Sequence, residues 1–354
     1  MSPLPASPPL APEQDRLAQE DPESPRGEER GGDADAAPRA HHLAGSDAPN
    51  PASLTPKAWK QIALRVKGQI QSDSLSVVAG GVAFWTFMAV FPAIAAVVAL
   101  WGLFADPRDV EPLLSGMSLP AGAVGLLKDR LNDLAGSANR TLSLGLVVSL
   151  LLALWSANKG TKATVQALNV AYEEREDRGF IHLNLLTLCL TLAAVTVFVV
   201  AALLVIVAPA LMGHLGLEEV TRSAISLGRW PLLAILMAAA AGALYRLGPS
   251  RSAPRWTWTL PGALTTGLLW VLGSSVFSFY VSNFGNYEKT YGSLGGVVIL
   301  MLWFYMSAYV LLLGAEINAE AEHQTLKDST VGEREPIGER GAYHADHVPR
   351  ASAS

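Results

Sequence analysis

Long apolar runs alternate with short polar segments over most of the chain, and this pattern predicts membrane-spanning helices. Six stretches contain no Asp, Glu, Lys or Arg: 74–105, 141–158, 179–217, 230–245, 256–287 and 290–315. A helix needs about 20 apolar residues to cross the hydrocarbon core of a bilayer, and four stretches are clearly longer than that. Flanking Lys and Arg side chains can reach the interface and so extend the two shorter ones. The predicted spans lie near residues 77–104, 141–160, 180–209, 229–247, 256–284 and 291–316.

The fold class follows from the same pattern. None of the runs alternates apolar and polar residues as a transmembrane barrel strand does. We therefore predict an all-α, polytopic membrane protein with six transmembrane helices within residues 57–327. Composition agrees, because half of the 354 residues are hydrophobic and only 16% are charged, which is unusual for a soluble domain.

The two ends of the chain differ from the middle in composition. Residues 1–56 are rich in Pro, Ala, Asp and Glu, and they hold ten acidic and four basic side chains. Such a segment buries too little apolar surface to offset the entropy of ordering it. We predict a disordered acidic, Pro-rich tail over residues 1–56 and a second disordered tail over residues 328–354.

Basic residues beside the spans predict the orientation. If the N-terminus is in the cytoplasm, the inner segments carry eleven Lys and Arg residues before the C-terminal tail, and the outer segments carry seven. This bias predicts that both termini lie in the cytoplasm. An amphipathic helix over residues 57–70, with Trp59, Ile62 and Val66 on one face, is expected to lie at the inner interface, on the bilayer or on its neighbours.

Polar residues at the inner end of the second span are the first candidates for function. Asn158, Lys159 and Lys162 come where twenty helical residues counted from Thr141 have crossed the hydrocarbon core, and Asn169 continues the same helical stripe. A cationic stripe at this depth can bind anionic lipid head groups or line a vestibule. The alternative is that the lysines snorkel from a solvated helix.

The outer loop between the last two spans is the second candidate. Its polar and aromatic residues are Asn283, Tyr287, Glu288, Lys289 and Tyr291. Tyrosine rings are favoured at the depth of the membrane interface, where such a loop would lie. Both a gate and a plain re-entry loop fit this composition.

One acidic residue and several helix-shaping residues complete the candidates. Glu316 is the first acidic residue after 26 uncharged positions, and we predict an ion pair with an inner Lys or Arg, with proton coupling as the alternative. Pro92 is expected to kink the first span, either as a static bend or as a hinge. Gly160, Gly292 and Gly296 have the small-residue spacing that allows close helix packing.

Motifs of soluble enzymes are absent from the sequence. It contains no Walker A, dinucleotide-binding, nucleophile-elbow or zincin motif. Cys189 is the single cysteine, which excludes an intramolecular disulfide and a cysteine metal cage. The seven histidines form no recognisable metal site. We predict that the protein is not an enzyme and has neither a cofactor nor a metal.

Three stretches carry a family resemblance: "GGVAFWTFMAVFP" in the first span, "LWSANKGTKATVQALNVAYEERE" after the second, and "YGSLGGVVILMLWFYMSAYVLLLGAEINAE" over the sixth. They resemble the YihY/BrkB membrane proteins, long labelled ribonuclease BN, and the likeness covers roughly residues 60–325. The resemblance implies six helices in the bacterial inner membrane with cytoplasmic termini. The family labels suggest a tRNA-processing ribonuclease or a virulence-associated envelope factor. Members often have Ala-Ala and Tyr-Tyr where this chain has Gly80, Gly81, Phe84 and Trp85.

Three hypotheses on function follow. The first is transport of an envelope lipid or small solute, with membrane lipids as the contacts. The second is a scaffold that binds an envelope protein partner and transports nothing. The third, a tRNA-processing nuclease, is disfavoured because the sequence supplies no clustered carboxylates for metal and no basic aromatic surface for nucleic acid. Polar residues of several spans facing one internal cavity would favour transport.

Overall fold

The computed structural model describes residues 44–104, 139–202, 204, 219–284 and 293–347. These residues are helical apart from their loops and one isolated β-bridge between Pro254 and Thr330. After a short 3-10 turn at Pro51–Ser53, the helices are α1 (Pro56–Ser72), α2 (Leu75–Phe104), α3 (Asn139–Ala171), α4 (Phe180–Ala202), α5 (Glu219–Leu247), α6 (Trp256–Phe284), α7 (Ser293–His323) and α8 (Tyr343–Asp346). The predicted all-α class is confirmed.

Each of the six predicted spans coincides with one of the long helices α2 to α7. Over their described residues, five of these helices are long and apolar enough to cross a membrane: α2, α4, α5, α6 and α7. The second half of α3 is more polar and contains Asn158, Lys159 and Lys162. It runs eleven residues past the predicted end of its span, to Ala171.

Helix α7 is central to the packing. It contacts α1, α2, α3, α6 and α8, and each of the long helices also contacts the next one along the chain. The contact between α7 and α2 therefore closes the arrangement of the six long helices.

Small residues allow the α6–α7 contact, since a Cβ atom at Gly262 would overlap the carbonyl oxygen of Gly314. Asn318 of α7 accepts a hydrogen bond from the Gly262 amide at 2.7 Å.

Three loops and the C-terminal segment lie together at one end of the bundle, which we call the polar end. The loops are residues 73–74, 172–179 and 248–255, and the C-terminal segment is residues 324–347. Hydrogen bonds join them, for example from the Ser250 amide to Asn169 at 2.8 Å and from the Tyr343 amide to Glu174 at 2.8 Å. Helices α2, α6 and α7 have 30, 29 and 31 residues. At 1.5 Å per residue they are about 45 Å long and exceed the hydrocarbon core by about 15 Å.

Helix α1 lies across the polar end. It begins where the Thr55 hydroxyl accepts a hydrogen bond from the Ala58 amide at 3.2 Å and where Pro56 occupies the first helical position, an N-terminal arrangement that favours helix. Its buried face, with Ile62 and Val66, packs against the end of α7 and against Trp258. The predicted amphipathic helix is thus present, and its apolar face is covered by the bundle.

Part of each predicted tail packs on the bundle. Residues 44–55 pack on the polar end, where Leu54 is buried and the Leu326 amide donates to the Ser46 carbonyl at 2.8 Å. Residues 328–347 are also packed, because backbone amides of the 248–255 loop and of this segment bond one another, as from Arg255 to Ser329 at 2.9 Å. These hydrogen bonds hold the two segments on the bundle, although the composition of the tails offers few large apolar side chains to bury. Residues 1–43 and 348–354 lie outside the described residues.

His344 lies inside this C-terminal segment and is only 2% exposed. Its ring centroid is 5.0 Å from that of His323, and within the described ranges neither ring nitrogen of His344 has a hydrogen-bond partner. Burial, followed by the nearby charges of His323, Arg251, His347 and Arg65, lowers the pKa of His344 well below its usual value. The folded protein therefore keeps His344 neutral.

The C-terminal segment is expected to loosen as the pH falls. Because the folded-state pKa of His344 is lowered, its contribution to stability is present above the unfolded pKa of about 6.5 and is lost as the pH falls below it. Hydrogen–deuterium exchange of residues 326–347, corrected for intrinsic rates, should be faster at about pH 5 than at about pH 7.5. His344→Phe should reduce this difference, with His323 beside it accounting for the remainder, and His182→Phe, at an exposed position of α4, should leave it intact. A His344→Phe protein with the original pH dependence would contradict the assignment.

Candidate functional site

A groove of about 220 Å³ lies between α2 and α3 near the polar end. Each helix contributes one face, because the lining positions recur every three or four residues. Gly81 leaves the groove open, since a Cβ atom there would meet nothing within 4 Å. The lining residues are Val78, Gly81, Val82 and Trp85 from α2 and Ala163, Gln166, Ala167 and Val170 from α3.

Lys159 lies at one end of this groove, one helical turn before Ala163. Its Nζ atom is 3.8 Å from the ring centroid of Trp155 and 5.2 Å from that of Trp85, which are distances of cation–π contacts. Both indole rings are exposed. Within the described ranges Lys159 makes no ion pair. Two aromatic rings therefore hold a positive charge at the end of a groove without neutralising it.

The other predicted residues of α3 have different surroundings. Asn158 accepts a hydrogen bond from Thr191 of α4 at 3.4 Å, and the ammonium of Lys162 lies 5.7 Å from the ring centroid of Phe180, also in α4. Asn169 is buried and donates to Glu176 at 2.9 Å, in addition to its bond from Ser250. The predicted polar stripe is thus divided, and of these four residues Lys159 is the one that adjoins the groove.

The surroundings of Glu316 differ from the prediction that it pairs with a Lys or Arg. Its side chain is 1% exposed and lies close to Asp73 in the α1–α2 turn. Burial raises the pKa of Asp73, and the neighbouring Glu316 partly offsets that rise. Within the described ranges Glu316 forms no ion pair with a Lys or Arg, and Arg65 is bound to Glu320.

The acidic end of α7 presents two faces, as helical spacing requires. Glu316 and Glu320, four residues apart, face α1 and the α1–α2 turn. Glu322 faces the α5–α6 loop, where its Oε1 atom is 2.7 Å from Nη2 of Arg251, and the two side chains are 0% and 1% exposed. The Arg251 guanidinium also lies 4.4 Å from the ring centroid of Tyr172. These contacts bind α7 to its neighbours and do not adjoin the groove.

The remaining predicted residues lie partly outside the described ranges. Those of the outer loop and its following glycine are not described: Tyr287, Glu288, Lys289, Tyr291 and Gly292. Asn283 belongs to the last turn of α6, and Pro92 lies inside α2. Gly160 packs against α2, with its Cβ position 3.4 Å from Thr86 Cα. Gly296 has no atom within 4 Å of that position, so the described residues give it no packing partner.

Sequence reasoning missed several residues of the site. It treated Gly81 and Trp85 only as departures from the family pattern, and it did not single out Trp155. The i, i+4 spacing of Trp155 and Lys159 was a usable signal, because side chains four apart meet on a helix. In the part of the chain that the structure describes, no group of three or more His, Cys, Asp or Glu side chains could hold a metal ion.

The fold and its apolar helices define a polytopic membrane protein, and comparisons with known proteins identify its family. The model of the family described as "Virulence factor BrkB" matches residues 66–337, and the chain belongs to this family. The resemblance found in the sequence is thereby confirmed. No solved structure matches the chain.

Several curated bacterial proteins are similar to the chain. "Putative ribonuclease-like protein YfkH" of Bacillus subtilis is 34% identical, over 67% of this chain and 86% of that protein. "UPF0761 membrane protein PBPRA3489" of Photobacterium profundum is 28% identical, over 71% and 77% of the two chains. "UPF0761 membrane protein PSHAa0171" of Pseudoalteromonas translucida is 26% identical, over 73% and 84%. The names given to these relatives thus agree on a membrane protein in two cases and refer to a ribonuclease in one.

Proposed function

We propose that this protein transports an envelope lipid or a small amphipathic solute in the bacterial inner membrane, with both termini in the cytoplasm. The observation that carries the proposal is the groove between α2 and α3. Its exposed residues, among them Gly81, Trp85 and Gln166, open it toward the surroundings of the bundle. A lipid can enter such a groove laterally, from the plane of the membrane.

The depth of the groove supports this proposal. Twenty helical residues counted from Thr141 span about 30 Å and end at Gly160, so Lys159 lies where the hydrocarbon core meets the head groups. The exposed rings of Trp85 and Trp155 are at the same level, where tryptophan is favoured. The groove continues from this level toward the polar end, that is, through the head-group layer.

The surface on the other side of Lys159 suits acyl chains. Leu151, Leu152, Val147 and Val148 of α3 are exposed, and they precede Lys159 by two to three turns. A membrane surrounds such side chains with hydrocarbon, so their exposure in the isolated chain carries no cost there. The surface therefore offers a groove for a head group, with Lys159 at its end, next to an apolar face for the acyl chains.

Filling the groove is expected to slow transport. Gly81→Leu places a branched side chain in the open space and should reduce the rate of lipid transfer about tenfold, equivalent to 1.4 kcal/mol in the barrier. The measurement is transbilayer movement of a fluorescent phospholipid in liposomes that contain the purified full chain, with dithionite added to bleach the outer leaflet. Gly228→Leu is the matched control, since Gly228 of α5 also has nothing within 4 Å of its Cβ position.

Two results would contradict the proposed function. One is a full chain that moves no tested lipid or solute faster than protein-free liposomes do. The other is an equal loss of rate in Gly81→Leu and Gly228→Leu, which would show a general effect of an added leucine. If the first result comes together with a stable envelope partner in pull-down experiments, the protein is a scaffold.

A further inference from the structure

We infer that the groove and Lys159 form a site for an anionic phospholipid whose terminal head group is an uncharged polyol. In this site the phosphate binds Lys159 and the polyol occupies the groove. The inference rests on the lipid transport proposed above and names the class of lipid that the site selects.

Lys159 has the properties of a phosphate-binding residue. Its ammonium group makes no ion pair within the described ranges, and contacts with Trp155 and Trp85 fix its position. A charge-assisted hydrogen bond from an ammonium to a phosphate oxygen is about twice as strong as a neutral one. Because its depth matches the boundary of the hydrocarbon core, Lys159 meets the phosphate of a lipid that stays in its own leaflet.

The size of the groove limits the part of the head group beyond the phosphate. From Ala163 to Val170 the groove follows seven helical residues, about 10 Å of α3. Its volume of about 220 Å³ equals that of roughly seven water molecules. This length and volume suit a small head group such as glycerol or ethanolamine.

The polarity of the groove distinguishes these two head groups. Its lining contains no acidic side chain, and Gln166 is the one residue of the lining with an amide side chain. The ammonium of ethanolamine would lie against apolar walls without a counter-ion and close to the charge of Lys159, which is costly. Hydroxyl groups of glycerol can donate to and accept from the Gln166 amide. The groove therefore favours phosphatidylglycerol over phosphatidylethanolamine.

The occupant is a lipid and not a soluble glycerol phosphate. The exposed apolar residues Leu151 and Leu152 continue the surface from Lys159 toward the membrane centre. In a bilayer the acyl chains of a lipid lie against this surface while its phosphate is at Lys159. A soluble phosphate would leave that apolar surface without a contact and would gain only the single ammonium.

The test is native mass spectrometry of the purified full chain with phosphatidylglycerol or phosphatidylethanolamine of identical acyl chains. We expect the unaltered protein to bind phosphatidylglycerol about tenfold more tightly, because the ethanolamine ammonium would lie close to the Lys159 charge and meet no acidic side chain in the groove. Lys159→Gln should lose most of the preference, and Lys159→Arg, which keeps the charge, should retain most of it. Lys162→Gln is the matched control, because that lysine faces Phe180 of α4 and its loss should leave the preference unchanged. Equal melting temperatures show that all variants are folded.

Two outcomes would overturn the inference: a preference of unchanged size in Lys159→Gln, or an equal loss in Lys159→Gln and Lys162→Gln. The second would show a general attraction of basic residues to anionic lipids. Binding requires no transport, so the two proposals fail separately. A preference that depends on Lys159 without lipid movement in liposomes leaves the site in place and removes the transport function. Lipid movement without such a preference supports the transport function and removes the site.

Discussion

Replacing Arg251 by alanine is expected to destabilise the folded protein by about 3–5 kcal/mol, because the variant leaves Glu322 buried without its partner. The two side chains are almost completely inaccessible, and their charged atoms are 2.7 Å apart. Glu322 would keep only the hydrogen bond from the Ser329 hydroxyl at 3.1 Å. The measurement is the melting temperature of the detergent-purified protein, followed by its intrinsic tryptophan fluorescence.

Two controls separate the buried ion pair from a general effect of removing arginine. Arg175→Ala, at an exposed position of the same polar end, should leave the melting temperature almost unchanged. The double variant Arg251→Met, Glu322→Leu removes both charges and should recover most of the stability that the single variant loses. A single variant as stable as Arg175→Ala would show that the pair does not stabilise the fold.

Replacing Gly262 by alanine is also expected to destabilise the folded protein. The added Cβ atom would overlap the Gly314 carbonyl oxygen and would crowd the Asn318 amide. Because these are atoms of the facing helix α7, relief requires a shift of α6 relative to α7. Overpacking of this kind costs about 1–3 kcal/mol and more where backbone is involved.

Thermal unfolding again measures this effect, together with the yield of monodisperse protein. Gly228→Ala is the control, because its Cβ position has open space and alanine favours helix over glycine by about 1 kcal/mol. We expect lower stability for Gly262→Ala and equal or higher stability for Gly228→Ala. Equal stability of both variants would contradict the close α6–α7 contact.

The sequence predicts the helices of this fold well because a membrane span is a local property. Twenty apolar residues without a charge suffice to place a helix, and each predicted span coincides with a long helix. The C-terminal segment was missed because its order depends on distant parts of the chain. Hydrogen bonds from the 248–255 loop and a buried His344 hold it, and neither leaves a signature in the composition of residues 328–347.

The site was predicted only in part, because some of its features are local in the sequence and others depend on contacts between distant segments. Lys159 was found because its depth along α3 can be counted from the start of the apolar run. The groove beside it was not, since it exists only where α3 packs against α2 at Gly81 and Trp85. Pairs such as Asp73 with Glu316 join residues far apart in sequence, so no local spacing identifies them. Sequence analysis gave Glu316 a cationic partner, whereas within the described residues Arg65 binds Glu320 instead.

The contacts of α7 form late in synthesis, because they join this helix to residues that precede it in the chain. Arg65 and Arg251 leave the ribosome before their partners Glu320 and Glu322. The contact between α2 and α7 likewise needs both helices. Both ion pairs and the contact that closes the arrangement of long helices can therefore form only after α7 has been made.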